Sequence, residues 1–314
     1  MRNLKRALSL ALAAIMLIGM MVVSACAVSY NDLTDKDQIV NKDAVSMLVS
    51  LGIIEGKPDG SYGPTENVDR AQMAKMLSVI MNKGVDNSAL YQSVNSGLTD
   101  ITSNWAKGHI NYCYTTGIIA GRGNGTFDPS ATVTALEAAK MLLVAVGYDP
   151  AIEGFEGADW AINVSVRADE QGIFEGFTKD LSAPLNRDDA ALLIYNALDV
   201  EMIQSYTTNN YPIAYSDHRT ILADKYGVIK VQGVVVANEW ASLASDDGDA
   251  ALKEGKTTIY NGEGIFSTTG NTTVSKEDAS LKTQTFNVST PVDMLGKTVN
   301  LYIKKTTILA DSTV

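Results

Sequence analysis

The chain has 314 residues, a formal net charge of −11, 46% hydrophobic residues and 19% charged ones. This composition excludes a disordered chain and gives a globular protein with a sizeable core, and the length accommodates two domains of ordinary size. The acidic balance argues against nucleic acid as a partner, because phosphate binding needs a basic face, yet it leaves room for an anionic ligand wherever a few arginines converge.

The chain opens with Arg2, Lys5 and Arg6, then an apolar run over 7–23, closed by the small residues Ser24-Ala25-Cys26-Ala27. That is the layout of an export signal peptide over 1–27. Ala25 and Ala27 suit cleavage after Ala27. Val23-Ser24-Ala25-Cys26 also reads as a lipobox, in which an acylated Cys26 holds the protein to a membrane. With cleavage after Ala27, Cys113 is the one remaining cysteine, which excludes an intrachain disulfide. Its place beside Tyr114 in an apolar helical pattern predicts a buried, inert thiol.

A repeated segment follows. Residues 52–77 (GIIEGKPDGSYGPTENVDRAQMAKML) recur 65 positions later at 117–142 (GIIAGRGNGTFDPSATVTALEAAKML), and a fainter third copy begins at Gly172 (GIFEGFTKDLSAPLNRDDAALLIYNAL). Repetition on this scale means one supersecondary unit used several times, with copies packed on one another. The units span 28–85, 95–149 and 155–204. In the second, Asp100 or Ser103 can cap a helix carrying Trp105, His109, Ile110 and Tyr114 as an apolar stripe. Gly117 ends it in a left-handed conformation. Ile118 and Ile119 enter the core, Asn124-Gly125 turns the chain, and Thr132 or Thr134 caps a second helix through Leu136, Ala139, Met141, Leu142 and Val146. Each unit is thus helix, glycine-rich loop, helix.

Beyond about Ser205 the character changes. Residues 205–227, polar and tyrosine-rich, read as a linker. The β-branched run 228–236 suits a strand. Residues 257–260, Asn261-Gly262 and Ile265-Phe266 read as a hairpin, and 283–288 and 298–304 add two strands, the latter alternating Val299, Leu301 and Ile303. A small β-rich domain, a barrel or sandwich, is expected over 228–314. Its end shortly after Ile308-Leu309 points to a truncated chain or to a sheet completed by a partner.

The residues offer little for catalysis. His109 and His218 are the only histidines, so no Cys/His cluster exists to hold zinc. Gly121-x-Gly-x-Gly lacks the strand and spacing of a nucleotide loop. Asp246-Asp247-Gly248-Asp249 lacks the positions of a helix–loop–helix calcium site and reads as a solvated turn. No serine stands in a G-x-S-x-G setting. We expect no cofactor, no metal and no enzymatic activity. The alternative is an enzyme or adhesin whose active part is the β-rich domain or lies outside this chain.

The tryptophan of the first helix, the G-I-I-x-G-x-x-D-G-x-F-x-P loop and the T-R-A-E-like start of the second helix together resemble the S-layer homology domain, over about residues 28–200. Three tandem copies are that family's usual number. The resemblance implies an α+β multidomain fold: an all-α, pseudo-threefold spindle of repeats, then the β-rich domain. It implies a secreted bacterial protein of the cell wall or surface layer, binding a secondary cell-wall polysaccharide, often one with pyruvylated sugars. Self-association in a surface array follows from the same resemblance, and a membrane is a partner only if Cys26 is acylated. In that family the grooves between copies use the T-R-A-E arginine, an aspartate near the start of the copy, the first-helix tryptophan and loop glycines. The matching positions are Arg70 and Arg187, Asp32 and Asp100, Trp105 and Trp160, and Gly56, Gly121 and Gly176. Ala135 replaces the arginine in the second copy, and the opening helix of the first copy has no tryptophan, so one or two working grooves are expected, with the second weakened. An arginine fork suits a sugar carboxylate, and helix N-termini at Arg70 and Arg187 would add main-chain N–H groups.

Overall fold

Three helix–loop–helix units occupy residues 29–200 of this computed structural model, which describes residues 29–243, 251–262, 268–269, 272–273 and 283–304. The expected export signal with Cys26, the acidic turn at 246–249 and the hairpin arm at 265–266 lie outside the described residues. The first unit contains α1 (Lys42–Ser50) and α2 (Arg70–Met81), the second α3 (Lys107–Thr115) and α4 (Ala135–Val146), the third α5 (Trp160–Glu170) and α6 (Arg187–Ala197).

The sequence sets both ends of the connecting loops. Gly52, Gly117 and Gly172 follow the first helices with φ of +70°, +78° and +70°, the left-handed region that a side chain disfavours. After each glycine an isoleucine amide turns back onto the helix: Ile53 to Leu48 O, Ile118 to Cys113 O and Ile173 to Ala168 O, at 2.8–2.9 Å. This is the C-terminal lock that buries the residue after the glycine. The second helices start at side-chain caps, where Asp69, Thr134 and Asn186 accept from the amides of Gln72, Glu137 and Asp189.

No unit packs by itself. Helix α2 lies on α3, α4 on α5, and α6 on α1, so the second helix of each unit covers the first helix of another; α4 also touches α2 and α6. Three main-chain hydrogen bonds close the junction. Val68 N donates to Leu185 O at 2.8 Å, Leu185 N to Val133 O at 2.8 Å, and Val133 N to Val68 O at 2.9 Å. Each unit therefore gives one bond and takes one, in a ring, at residues that are 0–2% exposed.

Residues 205–227, expected as a linker, are structured. Strands β1 (Ile203–Tyr206) and β2 (Pro212–Ala214) form a hairpin, and α7 (Ile221–Tyr226) follows, capped by Thr220 and ended by Gly227 at φ +62°. The polar composition hid two anchors: Tyr206 donates to Glu153 Oε1 at 2.9 Å, and the α7 residues Ile221 and Leu222 are buried in the helical core.

The β part holds β3 (Val228–Asn238), β4 (Thr257–Tyr260), β5 (Thr268–Thr269), β6 (Thr272–Thr273), β7 (Thr283–Phe286) and β8 (Thr298–Lys304). Four of these make one antiparallel sheet in the order β7-β4-β3-β8, while β5 and β6 pair separately. Among the described residues the strands close neither a barrel nor a sandwich. Strand β4, read from the sequence as one arm of a hairpin at Asn261-Gly262, pairs with β3 and β7. Its buried Ile259 packs with Phe286, Val299 and Leu301. The sheet rests on the helices through Val228, through the hydroxyl pair Tyr195–Tyr302 and through Lys230 Nζ to Asp199 Oδ2 at 3.1 Å.

Candidate binding grooves between the repeats

Two aspartates lock the loops. Asp100 accepts from the amides of Phe127 and Asp128 at 2.9 and 2.7 Å. In the first unit the residue doing this is Asp35, 65 positions earlier, which accepts from Tyr62 and Gly63 at 2.7 and 2.8 Å. Asp32, the sequence candidate, instead accepts from Ser29 N in an exposed 3-10 turn. Aspartates at 32, 35 and 37 leave the register ambiguous in the sequence, and only the loop contacts resolve it. Asp100 likewise holds its loop rather than a helix cap; α3 begins at Lys107 with no side-chain cap.

Each loop lock is completed by an arginine from another unit. Arg70 Nε donates to Phe127 O at 2.8 Å and its Nη2 to Ala120 O at 2.9 Å, with the guanidinium carbon 4.4 Å from the Phe127 ring centre. Arg187 repeats the geometry on the first loop, Nε to Tyr62 O at 2.8 Å and 4.8 Å over the Tyr62 ring. Arg70 is 4% exposed; burial, then the nearby Arg122, push its pKa down to about 10, so it stays cationic at neutral pH. The fork expected to clasp a ligand is thus largely engaged with loop carbonyls, and Nη1, 3.9 Å from Glu137 Oε1, is the part facing the groove. The helix N-termini offer less than expected too. The amides of Arg70 and Ala71 donate to Ala131 O and Pro129 O, and those of Arg187 and Asp188 to Glu66 O and Pro64 O.

Two grooves share one plan. The first, about 210 Å³, is lined by Ile53 to Lys57 with Gly56, by Gln72, Lys75 and Met76 of α2, by Trp105 from the second unit and by Arg187 from the third. The second, about 560 Å³, is lined by Ile118 to Gly123 with Gly121, by Glu137, Lys140 and Met141 of α4, by Trp160 from the third unit and by Arg70 from the first, with Phe155, Glu156 and Gly157. Position by position these sets coincide at the 65-residue offset within the loops and second helices. A side chain at Gly121 would meet Thr126 O at 2.9 Å, so this glycine is required by the loop itself. Trp105 is 58% exposed and lies just before α3, not within it. Trp160 is partly buried, with Lys140 Nζ 5.8 Å from its ring centre. Burial lowers the pKa of Lys140.

The third groove, about 440 Å³, holds Gly176, Val40, Ala44, Leu192, Tyr195 and Asn196, joined by Lys230 and Asn300 of the sheet. Here Val40 stands where the others have tryptophan and Leu192 where they have lysine. Phe177 takes the place of Lys57 and Arg122. Ala135 completes the pattern, because the start of α4 contacts the third loop, Leu136 N donating to Leu181 O at 3.1 Å. The lost arginine and the lost tryptophan therefore fall in one and the same groove, that of the third loop. The second loop's groove, expected to be the weak one, is complete because its arginine comes from the first unit.

Sequence reading missed Lys57 and Arg122, which follow the loop glycine, and Lys75 and Lys140 on the second helices. Their signal was in the aligned copies, as cations conserved between two of three units and absent from the third. His109 is 3% exposed, with Nδ1 2.6 Å from Ser78 Oγ and Nε2 3.6 Å from Asp86 Oδ2. Burial lowers its pKa against the pull of Asp86; burial prevails because the Asp86 side chain is half exposed and its charge is screened. Ser78 Oγ also donates to Lys75 O, and the group lies within the α2–α3 contact. Cys113 is fully buried as expected, its thiol pKa raised by burial. Among the described residues no helix is long and apolar enough to cross a membrane.

Residues 29–74 and 97–139 match the S-layer homology domain family. The chain is 28% identical over 273 residues to a cell surface protein of Thermoanaerobacter kivui, covering 85% of this chain and 32% of that protein. It is 33% identical over 113 residues to an S-layer protein of Bacillus licheniformis (36% of this chain, 12% of that protein). An exoglucanase of Acetivibrio thermocellus is 28% identical over 188 residues (55% of this chain, 16% of that protein). The chain thus spans about a third or less of these relatives. The matches support a secreted protein of the cell wall or cell surface.

Proposed function

We propose that the repeats form a pseudo-threefold anchor that holds an acidic secondary cell-wall polysaccharide, one bearing pyruvate-ketal sugars, in the first and second grooves. One observation carries this reading: Trp105 and Trp160 stand in two grooves that both provide a lysine on the second helix, a cation after the loop glycine and an arginine from a different unit, while in the third groove those four positions hold Val40, Leu192, Phe177 and Ala135 and the lining cations are Lys42 of α1 and Lys230 of the sheet. A tryptophan face packs on the apolar side of a sugar, and converging cations favour a polymer that carries carboxylates. The chain acts by binding and not by catalysis, and β7 and β8, the outer strands of the sheet, suit lateral assembly in a surface array. The exoglucanase relative favours a second reading, in which the repeats anchor a longer enzyme.

The test is sedimentation of the full secreted chain with purified wall sacculi, before and after chemical removal of the secondary polymer. Binding that disappears with the polymer supports the anchor. Binding that survives its removal, or never occurs, sinks it.

A further inference from the structure

We propose that Gln72 and Glu137 make the two complete grooves read different sugars: the first takes the acid-bearing sugar, the second an uncharged sugar of the same polymer. This rests on the reading that the grooves hold glycan.

The two residues occupy the same place. Each is the third residue of its helix, and each side chain returns to the cap residue, Gln72 Oε1 accepting from Asp69 N and Glu137 Oε2 from Thr134 N, both at 3.1 Å. Neither swings away without losing its cap. They differ in charge. Glu137 Oε1 accepts from Arg122 Nη1 at 3.0 Å and lies 3.9 Å from Arg70 Nη1, so two of the three cations in the second groove already share a fixed carboxylate. In the first groove the corresponding side chain is neutral. Lys57 and Lys75 pair there with Glu66 and with Glu55, itself a lining residue of the groove, but these glutamate side chains are 54% and 70% exposed, and such surface pairs are readily exchanged for a ligand. Among the described residues no carboxylate lies within 4 Å of the Arg187 guanidinium.

An incoming carboxylate therefore meets only an exposed, exchangeable Glu55 in the first groove and, in the second, a like charge fixed by its cap and by two arginines. At a separation near 5 Å and a half-exposed dielectric, that difference is worth about tenfold in affinity or more. The resident carboxylate suits a neutral sugar, since the remaining lone pairs of Glu137 accept hydroxyl donors beside the face of Trp160.

The chain reports on each groove separately, because Trp105 lines the first, Trp160 the second, and Trp240, the third tryptophan of the sequence, neither. Indole N–H resonances of the full chain are followed by NMR during titration with a pyruvate-ketal methyl hexoside and with its methyl ester. The acid is expected to saturate the Trp105 signal at about one tenth of the concentration needed at Trp160, and the ester to remove that preference. Glu137→Gln is expected to tighten the acid at Trp160 about tenfold, and Gln72→Glu to weaken it at Trp105 similarly; each substitution installs the cap used by the other copy, so folding is retained. Equal acid affinity at both indoles, or no shift on Glu137→Gln, overturns the proposal while leaving wall binding intact. Silence of both indoles toward both probes overturns it as well, and the sacculus assay then decides separately whether the anchor reading falls.

Discussion

Tyr62 and Arg187 bind each other in both directions across 125 positions of sequence. The Tyr62 hydroxyl donates to Arg187 O at 2.7 Å, Arg187 Nε donates to Tyr62 O at 2.8 Å, and the guanidinium lies over the ring. The pair joins the first loop to the start of α6, so Arg187 is at once a groove residue and a structural clamp. Arg70 does the same for Phe127 and Ala120, more deeply buried.

The clamps therefore contribute to stability as well as binding. Arg70→Ala leaves the buried Phe127 carbonyl without a donor and removes a second, more exposed bond to Ala120 O; it is expected to cost about 2–4 kcal/mol, about 1–3 for the buried carbonyl and about 1 for the other. Arg187→Ala removes one such bond and is expected to cost about 1–2 kcal/mol. Urea unfolding at neutral pH checks the order; equal losses would mean that Arg70 is not the tighter clamp. Weaker wall binding in either variant has meaning only beside its unfolding curve.

The ring through Val68, Leu185 and Val133 makes the units interdependent. Residues 29–149 alone lose the partner of Val68 N and the α6 cover of α1. That piece is expected to show no cooperative thermal transition, whereas the full chain unfolds its three units together. Circular dichroism melting decides, and a sharp transition in the shorter piece would show that two units suffice.

Much of this architecture was legible because the repeat states it several times. The helix–loop–helix order, the closing glycine at Gly117 and a threonine cap at 132 or 134 depend on near neighbours and read directly from sequence, whereas the choice of Thr134 and the cap at Asp69 came only with the structure. The arrangement of the grooves did not read so easily. Which unit lends its arginine to which loop is a matter of packing, so Ala135 was assigned to the wrong groove. Asp35 was hidden by Asp32 for want of a loop contact to fix the register. The residues at 205–227 looked like a linker because their fixing contacts, Tyr206 with Glu153 and Leu222 with Leu198, are long-range.

Trp105 separates binding from folding. It is 58% exposed and lies outside the helix that follows it. Trp105→Ala is expected to leave stability within about 0.5 kcal/mol of the parent, while acid-sugar affinity at the first groove falls about tenfold or more, as for a lost aromatic platform. Calorimetric titration with the ketal probe, paired with a melting curve, tests this. Unchanged affinity would make Trp105 a bystander.

Cys113 reports on opening of the α2–α3 contact. Its sulfur is fully buried and faces Ala74 O at 3.4 Å, and burial raises its pKa. A thiol reagent at neutral pH is expected to label it only at the rate at which the protein unfolds. Rapid labelling of the native protein would show that α2 and α3 part locally.

The pH dependence centres on His109. Its folded pKa lies below the ordinary value of about 6.5 because burial disfavours the imidazolium. Unfolding exposes the ring, so the unfolded chain binds the proton first. The stability linked to the neutral ring is thus present above about pH 6.5 and declines as pH falls from there toward the folded pKa. Asp86, whose pKa is also lowered, acts with the same sign but in the window below the ordinary carboxylate value, near 3.9. Urea unfolding at pH 7.5 and at pH 5 separates the two. The parent is expected to lose stability between those values, and His109→Gln, which keeps a polar partner for Ser78 but does not titrate, to lose less. The ring also packs edge-on against Trp105, 6.3 Å between centres. An equal loss in the parent and in His109→Gln would show that His109 does not carry the effect.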